Sequence, residues 1–228
     1  MRALQYAGWL IGVPLELLII AALLREGWRR FPFLFLYTVA LFLTTVVEVP
    51  AYLAYFSGTR LAHSRAFYYW IDEGIRQTLL FTVVISLIYL ATTGIRSRRL
   101  VRGSLILAAA VFAAISFLIH YDPHASVGTW MTLWTRDLSF SSAILDLTLW
   151  TMLLATHNSD LRLFMLSGAL GLQFTGEAIG ETLRNQFPAL LLGANALILV
   201  ANLACMYLWW QTLRVPAPGK APVRAAPQ

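Results

Sequence analysis

Charge, cysteine and lysine are all scarce in this chain. Only 12% of its 228 residues are charged and 59% are hydrophobic, whereas soluble domains are about 25% charged and about 45–50% apolar. Cys205 is the single cysteine, which excludes a disulfide framework and a thiolate metal site. The single lysine, Lys220, lies close to the C-terminus, so no apolar segment offers a lysine for a retinal Schiff base. These shortages exclude a soluble globular domain and predict an integral membrane protein.

Histidine is also missing from the middle of the apolar segments. The four histidines lie in links or at predicted helix ends: His63, His120, His124 and His157. No histidine and carboxylate set inside a span suits haem or hydrolytic zinc, and Ser167 has no histidine base nearby. The helical histidines of intramembrane prenyl proteases and the proline and glutamine signature of small seven-helix sugar transporters are absent too. We therefore expect no enzyme, no cofactor and no metal.

Long apolar segments are what the sequence does contain. Windows of about 20 residues are long enough to cross roughly 30 Å of hydrocarbon as helices. Seven such windows occur, at 4–25, 31–56, 67–92, 103–120, 130–155, 163–184 and 188–213. We predict an all-α, polytopic membrane protein with a seven-transmembrane-helix bundle over residues 1–214. The tail, 215–228, is rich in proline and alanine and is predicted to be disordered.

The net charge of +6 is distributed unevenly along the chain. Eleven basic residues fall in the links on one side of the predicted membrane and in the tail, against only Arg2, Arg60 and Arg65 on the other side. Because cytoplasmic links carry the excess of arginine and lysine, we predict that the N-terminus lies outside and the C-terminus in the cytoplasm. The basic residues set orientation in the lipid bilayer, and we expect no nucleic-acid partner.

Ionisable residues nevertheless occur inside the predicted spans. There are eleven of them: Glu16, Glu48, Asp72, Glu73, Arg76, Arg136, Asp137, Asp146, Glu177, Glu181 and Arg184. A charged side chain at a helix centre costs about 2.5–3.5 kcal/mol on insertion scales, so these groups should face the bundle interior. Helical spacing agrees, because Asn195 and Asn202 fall seven residues apart on one face of the last span.

The depth of these residues predicts a site. At a rise of about 1.5 Å per residue, most of them lie on the extracellular side of the midplane. We predict a ligand-binding cavity there, lined by Glu48, Glu73, Arg76, Arg136, Asp137, Glu177 and Glu181. Glu16 and Asp146 fall slightly to the cytoplasmic side and are predicted to relay protons. Because carboxylates outnumber arginines, we expect some acids to hold protons near neutral pH or to bind a cation.

A short aromatic pattern opens the third span. Tyr69, Trp70 and Glu73 form the pattern YWxxE. In this respect the chain resembles a group of bacterial seven-helix membrane proteins that carry YWxxE at the start of the third helix. The resemblance implies seven spans and a place in the bacterial inner membrane, and it implies no activity.

Three functions are consistent with these observations. The first is a membrane-embedded sensor, a receptor-like protein or a membrane-complex subunit that binds a small ligand or cation in the acid-rich cavity. Its short cytoplasmic links would require a separate membrane or cytoplasmic partner protein for signalling. The second is a proton- or cation-coupled small-molecule transporter that uses Glu16 and Asp146. The third is a structural scaffold, in which polar groups hold helices together and the GxxxG pair Gly176 and Gly180 permits close approach.

Overall fold

The chain folds as a bundle of helices. A computed structural model describes residues 2–56, 62–92, 98–123, 127–155 and 160–214, and this part of the chain contains seven α-helices and no strand. In chain order they are α1 (Arg2–Ala22), α2 (Pro32–Phe56), α3 (Ala62–Ala91), α4 (Arg98–His120), α5 (Val127–Ala155), α6 (Leu161–Gln186) and α7 (Leu191–Arg214). The all-helical prediction is confirmed. The predicted tail, 215–228, lies outside the described residues.

Five of the helices are long and apolar enough to cross a membrane. The qualifying segments are Tyr6–Arg25, Asp72–Ala91, Arg102–His120, Trp130–Ala155 and Leu191–Arg214. The described side chains of α2 end at residue 47 and leave a shorter apolar segment, Pro32–Val47. In α6 the second half carries Glu177, Glu181 and Arg184, which lower its hydropathy. The five apolar helices indicate a membrane protein.

The most extensive helix contact joins α6 to α7. A short 3₁₀ turn, Pro188–Leu190, connects them. A Cβ atom placed on Gly176 would lie 2.1 Å from Cβ of Ala201, and one on Gly180 would lie 2.3 Å from Cγ1 of Ile198. Because position 176 faces 201 while position 180 faces 198, the two helices run antiparallel. Their backbones approach so closely that only glycine fits at these two positions of α6.

The opposite side of α7 meets α1, with a different geometry. Position 8 of α1 faces Leu199 and position 12 faces Leu203, so these two helices run parallel. Here α7 presents leucines rather than alanine, and their side chains hold the two backbones apart. A Cβ atom on Gly8 would lie 2.9 Å from Cδ1 of Leu199, whereas one on Gly12 would be 3.9 Å from the nearest atoms of Leu203 and Met206, an ordinary contact distance. Space therefore remains beside α1 at Gly12.

The buried core includes side chains from α1, α2, α3, α5, α6 and α7, and Trp209 of α7 lies within it. Trp209 is 1% exposed and its ring packs edge-on against Tyr37, with the ring centroids 5.8 Å apart. Its indole nitrogen donates to the backbone oxygen of Leu166 at 3.2 Å. This bond satisfies the one donor of the indole, which would otherwise be unfavourable inside the bundle. The core thus fixes the register between α6 and α7.

Two arginines tie helix ends together at the end of the bundle where α1 finishes. Arg30, in the link after α1, pairs with Asp160 just before α6. Arg102 of α4 donates to the Thr92 hydroxyl at 3.2 Å and to the Tyr89 carbonyl at 2.8 Å, and it stacks over the Tyr89 ring. The first contact joins the link after α1 to the start of α6, and the second joins the start of α4 to the end of α3.

Candidate functional site

A cavity of about 450 Å³ lies between α1, α2, α3 and α7. Ligand pockets typically measure about 300–1,000 Å³, so the cavity has the size of a small-molecule site. All four helices contribute polar groups: Glu16, Thr44, Thr45, Asp72, Glu73, Arg76, Asn195 and Asn202. The remaining lining is apolar or glycine: Gly8, Trp9, Gly12, Val13, Leu41, Leu199, Leu203 and Met206. The cavity therefore offers both an apolar wall and a concentration of carboxylates.

The local sequence explains why a cavity forms here. Gly8 and Gly12 lie one turn apart on α1 and present no side chain toward α7. Asn195 and Asn202 are two turns apart on α7 and face the same space, as their spacing predicts. Pro14 lies inside α1 and has no N–H to donate, which weakens the helix next to the cavity.

Glu16 is the most buried acid of the cavity. Glu16 is 3% exposed, and the Thr45 hydroxyl lies 3.4 Å from its Oε1. The same hydroxyl also lies 2.9 Å from the carbonyl oxygen of Leu41. A hydroxyl has one proton to donate, and the shorter contact is the better bond. The other oxygen, Oε2, has no hydrogen-bond partner among the described residues, although buried polar atoms nearly always have one.

Glu73 and Arg76 form an ion pair one helical turn apart on α3. Nη2 of Arg76 lies 2.7 Å from one carboxylate oxygen and 2.9 Å from the other. Both side chains are partly buried, at 29% exposed for Arg76 and 24% for Glu73. Arg76 also interacts electrostatically with Glu177 of α6 and with the hydroxyl of Tyr37. One guanidinium therefore faces two carboxylates, contributed by different helices.

Glu177 belongs to a polar group next to the cavity rather than to its lining. Gln173, one turn earlier on α6, donates from its amide nitrogen to Glu177 Oε1 at 3.1 Å. The buried hydroxyl of Tyr37 lies beside Gln173, Glu177 and Arg76. The structure therefore brings together Glu73 and Glu177, two of the acids predicted to share a site, on either side of Arg76.

Asp146 lies in a different interface, between α5 and α6. It is 2% exposed, and Ser167 donates its hydroxyl hydrogen to Oδ1 at 2.7 Å. Glu16 is on α1, which packs against α2 and α7, so the two predicted relay residues are not in contact. The buried thiol of Cys205, on α7, lies near both Asp146 and Glu177.

Arg136 and Asp137 point away from the cavity. Oδ2 of Asp137 lies 2.9 Å from the Ser116 hydroxyl and 2.9 Å from Nε2 of His120, both on α4. The Arg136 side chain is 68% exposed, and its nearest approach to Asp137 is 4.0 Å. Asp137 therefore connects α5 to α4. Sequence reasoning identified His120 only as a residue at a helix end. Its spacing of four residues from Ser116, which puts both on one helix face, is the signal that could have linked it to Asp137.

The other predicted residues also lie apart from the cavity or outside the described side chains. Glu181 pairs with Arg184 at 2.8 Å, and both side chains are nearly half exposed. The side chain of Glu48 is outside the described set. Of the predicted ligand set, the cavity lining includes Glu73 and Arg76. Glu16, predicted as a relay residue, joins them. The hydroxyl of Thr45 and the carboxylate of Asp72, which were not in the predicted set, also line the cavity.

Comparisons with protein-family models, with curated proteins and with solved structures found no match to this chain. Within the described residues, no three histidine, cysteine, aspartate or glutamate side chains are grouped to hold a metal ion. The cavity offers carboxylates, side-chain amides and one guanidinium beside an apolar wall.

Proposed function

We propose that this chain is a multi-pass protein of a bacterial inner membrane that binds a small ligand or cation in the cavity between α1, α2, α3 and α7. It would act as a sensor, a receptor-like protein or a subunit of a membrane complex, with a separate partner protein carrying any signal. The binding residues are Glu16, Glu73 and Arg76, supported by Asn195 and Asn202. Glu177 positions Arg76 from outside the cavity.

Two features support the membrane topology. The five apolar helices have the length of spans, and a chain of seven alternating helices places its two ends on opposite sides of a bilayer. The basic residues concentrate in the links that follow α1, α3 and α5 and after α7, which favours a cytoplasmic C-terminus. Reporter domains fused to either end test this directly. We expect a periplasmic signal from the N-terminal fusion and a cytoplasmic signal from the C-terminal one.

One observation carries the binding proposal: Glu16 is among the residues that line a cavity of about 450 Å³, and its buried carboxylate oxygen Oε2 has no hydrogen-bond partner among the described residues. A scaffold that only joins helices would direct this group at another helix and satisfy it there. A buried carboxylate beside open volume is instead typical of a site that a bound molecule or water completes.

A screen that assumes no particular ligand tests this proposal. The full-length protein in nanodiscs is screened for thermal stabilisation by a library of small amines, alcohols, sugars and amino acids. Gly12→Leu fills the cavity, since ordinary contact distances surround that position, and leucine favours a helix over glycine by about 1 kcal/mol. Gly103→Leu is the matched control, because no atom lies within 4 Å of a Cβ placed there.

We expect at least one class of compound to raise the melting temperature of the unmodified protein and of Gly103→Leu but not of Gly12→Leu. A bound ligand at a hundred times its Kd adds about 2.7 kcal/mol to the free energy of unfolding, which such a screen detects. If no class stabilises the protein, or if Gly12→Leu responds equally, the binding proposal is wrong and a scaffold role is favoured.

A second candidate, a proton- or cation-coupled transporter, draws on a different observation. Glu16 and Arg76 line the same cavity, Arg76 interacts with Glu177, and the Cys205 thiol lies near both Glu177 and Asp146. Such a series inside a helix bundle is typical of ion pathways. Proteoliposomes with an imposed pH gradient test it. Transport predicts that Asp146→Asn abolishes proton-driven flux, whereas a sensor produces no flux in any variant.

A further inference from the structure

The charges that line the cavity do not balance. Three carboxylates, from Glu16, Asp72 and Glu73, face the single guanidinium of Arg76. Glu73 already binds Arg76 through both carboxylate oxygens, and Glu177 interacts with the same guanidinium from α6. Among the described residues, no lysine, arginine or histidine forms an ion pair with Glu16. The cavity therefore has one positive charge, which two carboxylates share, and a buried carboxylate, that of Glu16, without a cation of its own.

The space beside Glu16 suits an organic molecule better than a single ion. At about 30 Å³ for each water molecule, the cavity of about 450 Å³ has room for about fifteen waters. Its apolar wall includes the ring of Trp9 and the side chains of Leu199, Leu203 and Met206. Aromatic faces attract organic cations, and an apolar body gains about 25 cal/mol for each Å² that it buries. A ligand with an apolar body and one charged end matches both walls.

An amino acid fits this site less well than a simple amine. Its carboxylate would need a cation or several N–H donors, and the guanidinium of Arg76 is already shared by Glu73 and Glu177. An ammonium group, in contrast, supplies donors to the Glu16 carboxylate once the side chain turns Oε2, which is buried here, toward the cavity. We infer that the cavity binds a small monoamine with an apolar body and no carboxylate, its ammonium group donating to Glu16. This inference rests on the proposed function and names its ligand class.

Three matched probes test the ligand class: 2-phenylethylamine, 2-phenylethanol and phenylalanine. They share one aromatic body and differ only in carrying an ammonium group, a neutral hydroxyl, or an ammonium with a carboxylate. Binding to the full-length protein in nanodiscs is measured by calorimetry. Because a hydrogen bond to a charged group contributes about 1.5–3 kcal/mol, we expect the alcohol to bind about ten to a hundred times more weakly than the amine. Phenylalanine should be weaker by a similar factor.

Glu16→Gln isolates the carboxylate, since glutamine keeps the shape of the side chain and removes its charge. We expect this variant to bind 2-phenylethylamine about ten to a hundred times more weakly while its affinity for 2-phenylethanol changes little. Asp160→Asn is the charge-matched control, because Asp160 pairs with Arg30 in the links and does not line the cavity. It should bind the amine as the unmodified protein does.

The outcomes separate this inference from the proposed function. If phenylalanine or the alcohol binds as tightly as the amine, or if Glu16→Gln keeps full affinity for the amine, the monoamine inference is overturned. The same holds if neither 2-phenylethylamine nor the smaller probe ethylamine binds. In each case a non-amine compound that stabilises the protein in the library screen, and loses its effect in Gly12→Leu, would still support the binding site.

Discussion

Two pairs of glycines with the same spacing lie on opposite sides of α7, and they differ in how closely their helices pack against it. In α6, Gly176 and Gly180 allow the backbones to touch, and a Cβ atom at Gly176 would be 2.1 Å from Cβ of Ala201. In α1, Gly8 and Gly12 line a cavity. A Cβ atom at Gly8 would lie 2.9 Å from Cδ1 of Leu199, the end of a flexible side chain, whereas one at Gly12 would meet its nearest neighbours only at 3.9 Å. The first pair closes an interface, and the second leaves its interface open at Gly12.

The difference comes from what α7 presents to each partner. Toward α6 it presents Ala201, whose single methyl lets the helices approach. Toward α1 it presents Leu199 and Leu203, whose branched side chains keep the helices apart. A GxxxG spacing therefore predicts close packing only when the facing helix is also small at that position. Where it is large, the glycines leave volume for a ligand.

The cavity region and the exposed end of α6 should differ most in how much an arginine contributes to the free energy of unfolding. Glu73 with Arg76 and Glu181 with Arg184 have the same spacing, but the second pair is about 44–48% exposed and the first about 24–29%. Arg76→Leu leaves Glu73 and Glu177 without their cation, which we expect to lower the free energy of unfolding by about 2–3 kcal/mol. Arg184→Leu should lower it by less than about 1 kcal/mol. Equilibrium unfolding in mixed micelles measures both.

A double variant shows whether the loss arises from uncompensated charge. Arg76→Leu combined with Glu73→Leu removes both members of the pair, and we expect it to recover at least half of the lost stability. An equal loss in the Arg76 and Arg184 single variants would contradict the view that the cavity region depends on a matched network of charges.

The next largest effect on stability is expected where α7 packs closely against α6. Gly176→Ala places a methyl against Ala201, whose Cβ atom is attached to backbone and has no rotamer to move into. The helices must separate, and we expect a loss of about 2 kcal/mol, within the range for overpacked cores. Adding Ala201→Gly to this variant restores the space. If the double variant is no more stable than Gly176→Ala, the contact across α6 and α7 does not set the stability of that interface.

The cavity side should respond in the opposite direction. Gly12→Ala adds a methyl at ordinary contact distance from Leu203 and Met206, and alanine favours a helix over glycine by about 1 kcal/mol. We expect a gain of about 0.5–1 kcal/mol in the same unfolding measurement. A loss comparable to that of Gly176→Ala would show that α1 packs as tightly as α6 and that the comparison between the two glycine pairs fails.

Helix positions were predictable because each depends only on local composition. The third apolar window, 67–92, overlaps the observed helix Ala62–Ala91, and the other windows agree similarly well with their helices. The two asparagines of α7 face one space, as a spacing of seven residues requires. These features need no knowledge of which helices are neighbours.

The membership of the site was less predictable, because depth along a helix does not say which partner each face meets. Arg136 and Asp137 were grouped with Glu73 by depth, yet α5 packs against α3, α4 and α6, and these two residues face α4 or the surface. Glu177 lies near Glu73, since both interact with Arg76, but it does not line the cavity. The order of helices around the bundle decides such contacts, and it is a property of packing between distant segments.

The smallest expected effect concerns the hydroxyl beside Glu16. The Thr45 hydroxyl lies 3.4 Å from Glu16 Oε1 and 2.9 Å from the carbonyl oxygen of Leu41, so it donates its hydrogen mainly to Leu41 within α2. Thr45→Val keeps the shape and removes the hydroxyl, and we expect a change of less than about 0.5 kcal/mol in unfolding and less than about twofold in the affinity for 2-phenylethylamine. In the same calorimetric measurement, Glu16→Gln should lose far more affinity for 2-phenylethylamine than Thr45→Val does. If Thr45→Val weakened binding as much as Glu16→Gln, the carboxylate would depend on that hydroxyl. The cavity, like the closed interface of α6 and α7, would then be completed by contacts within the protein rather than left for a ligand.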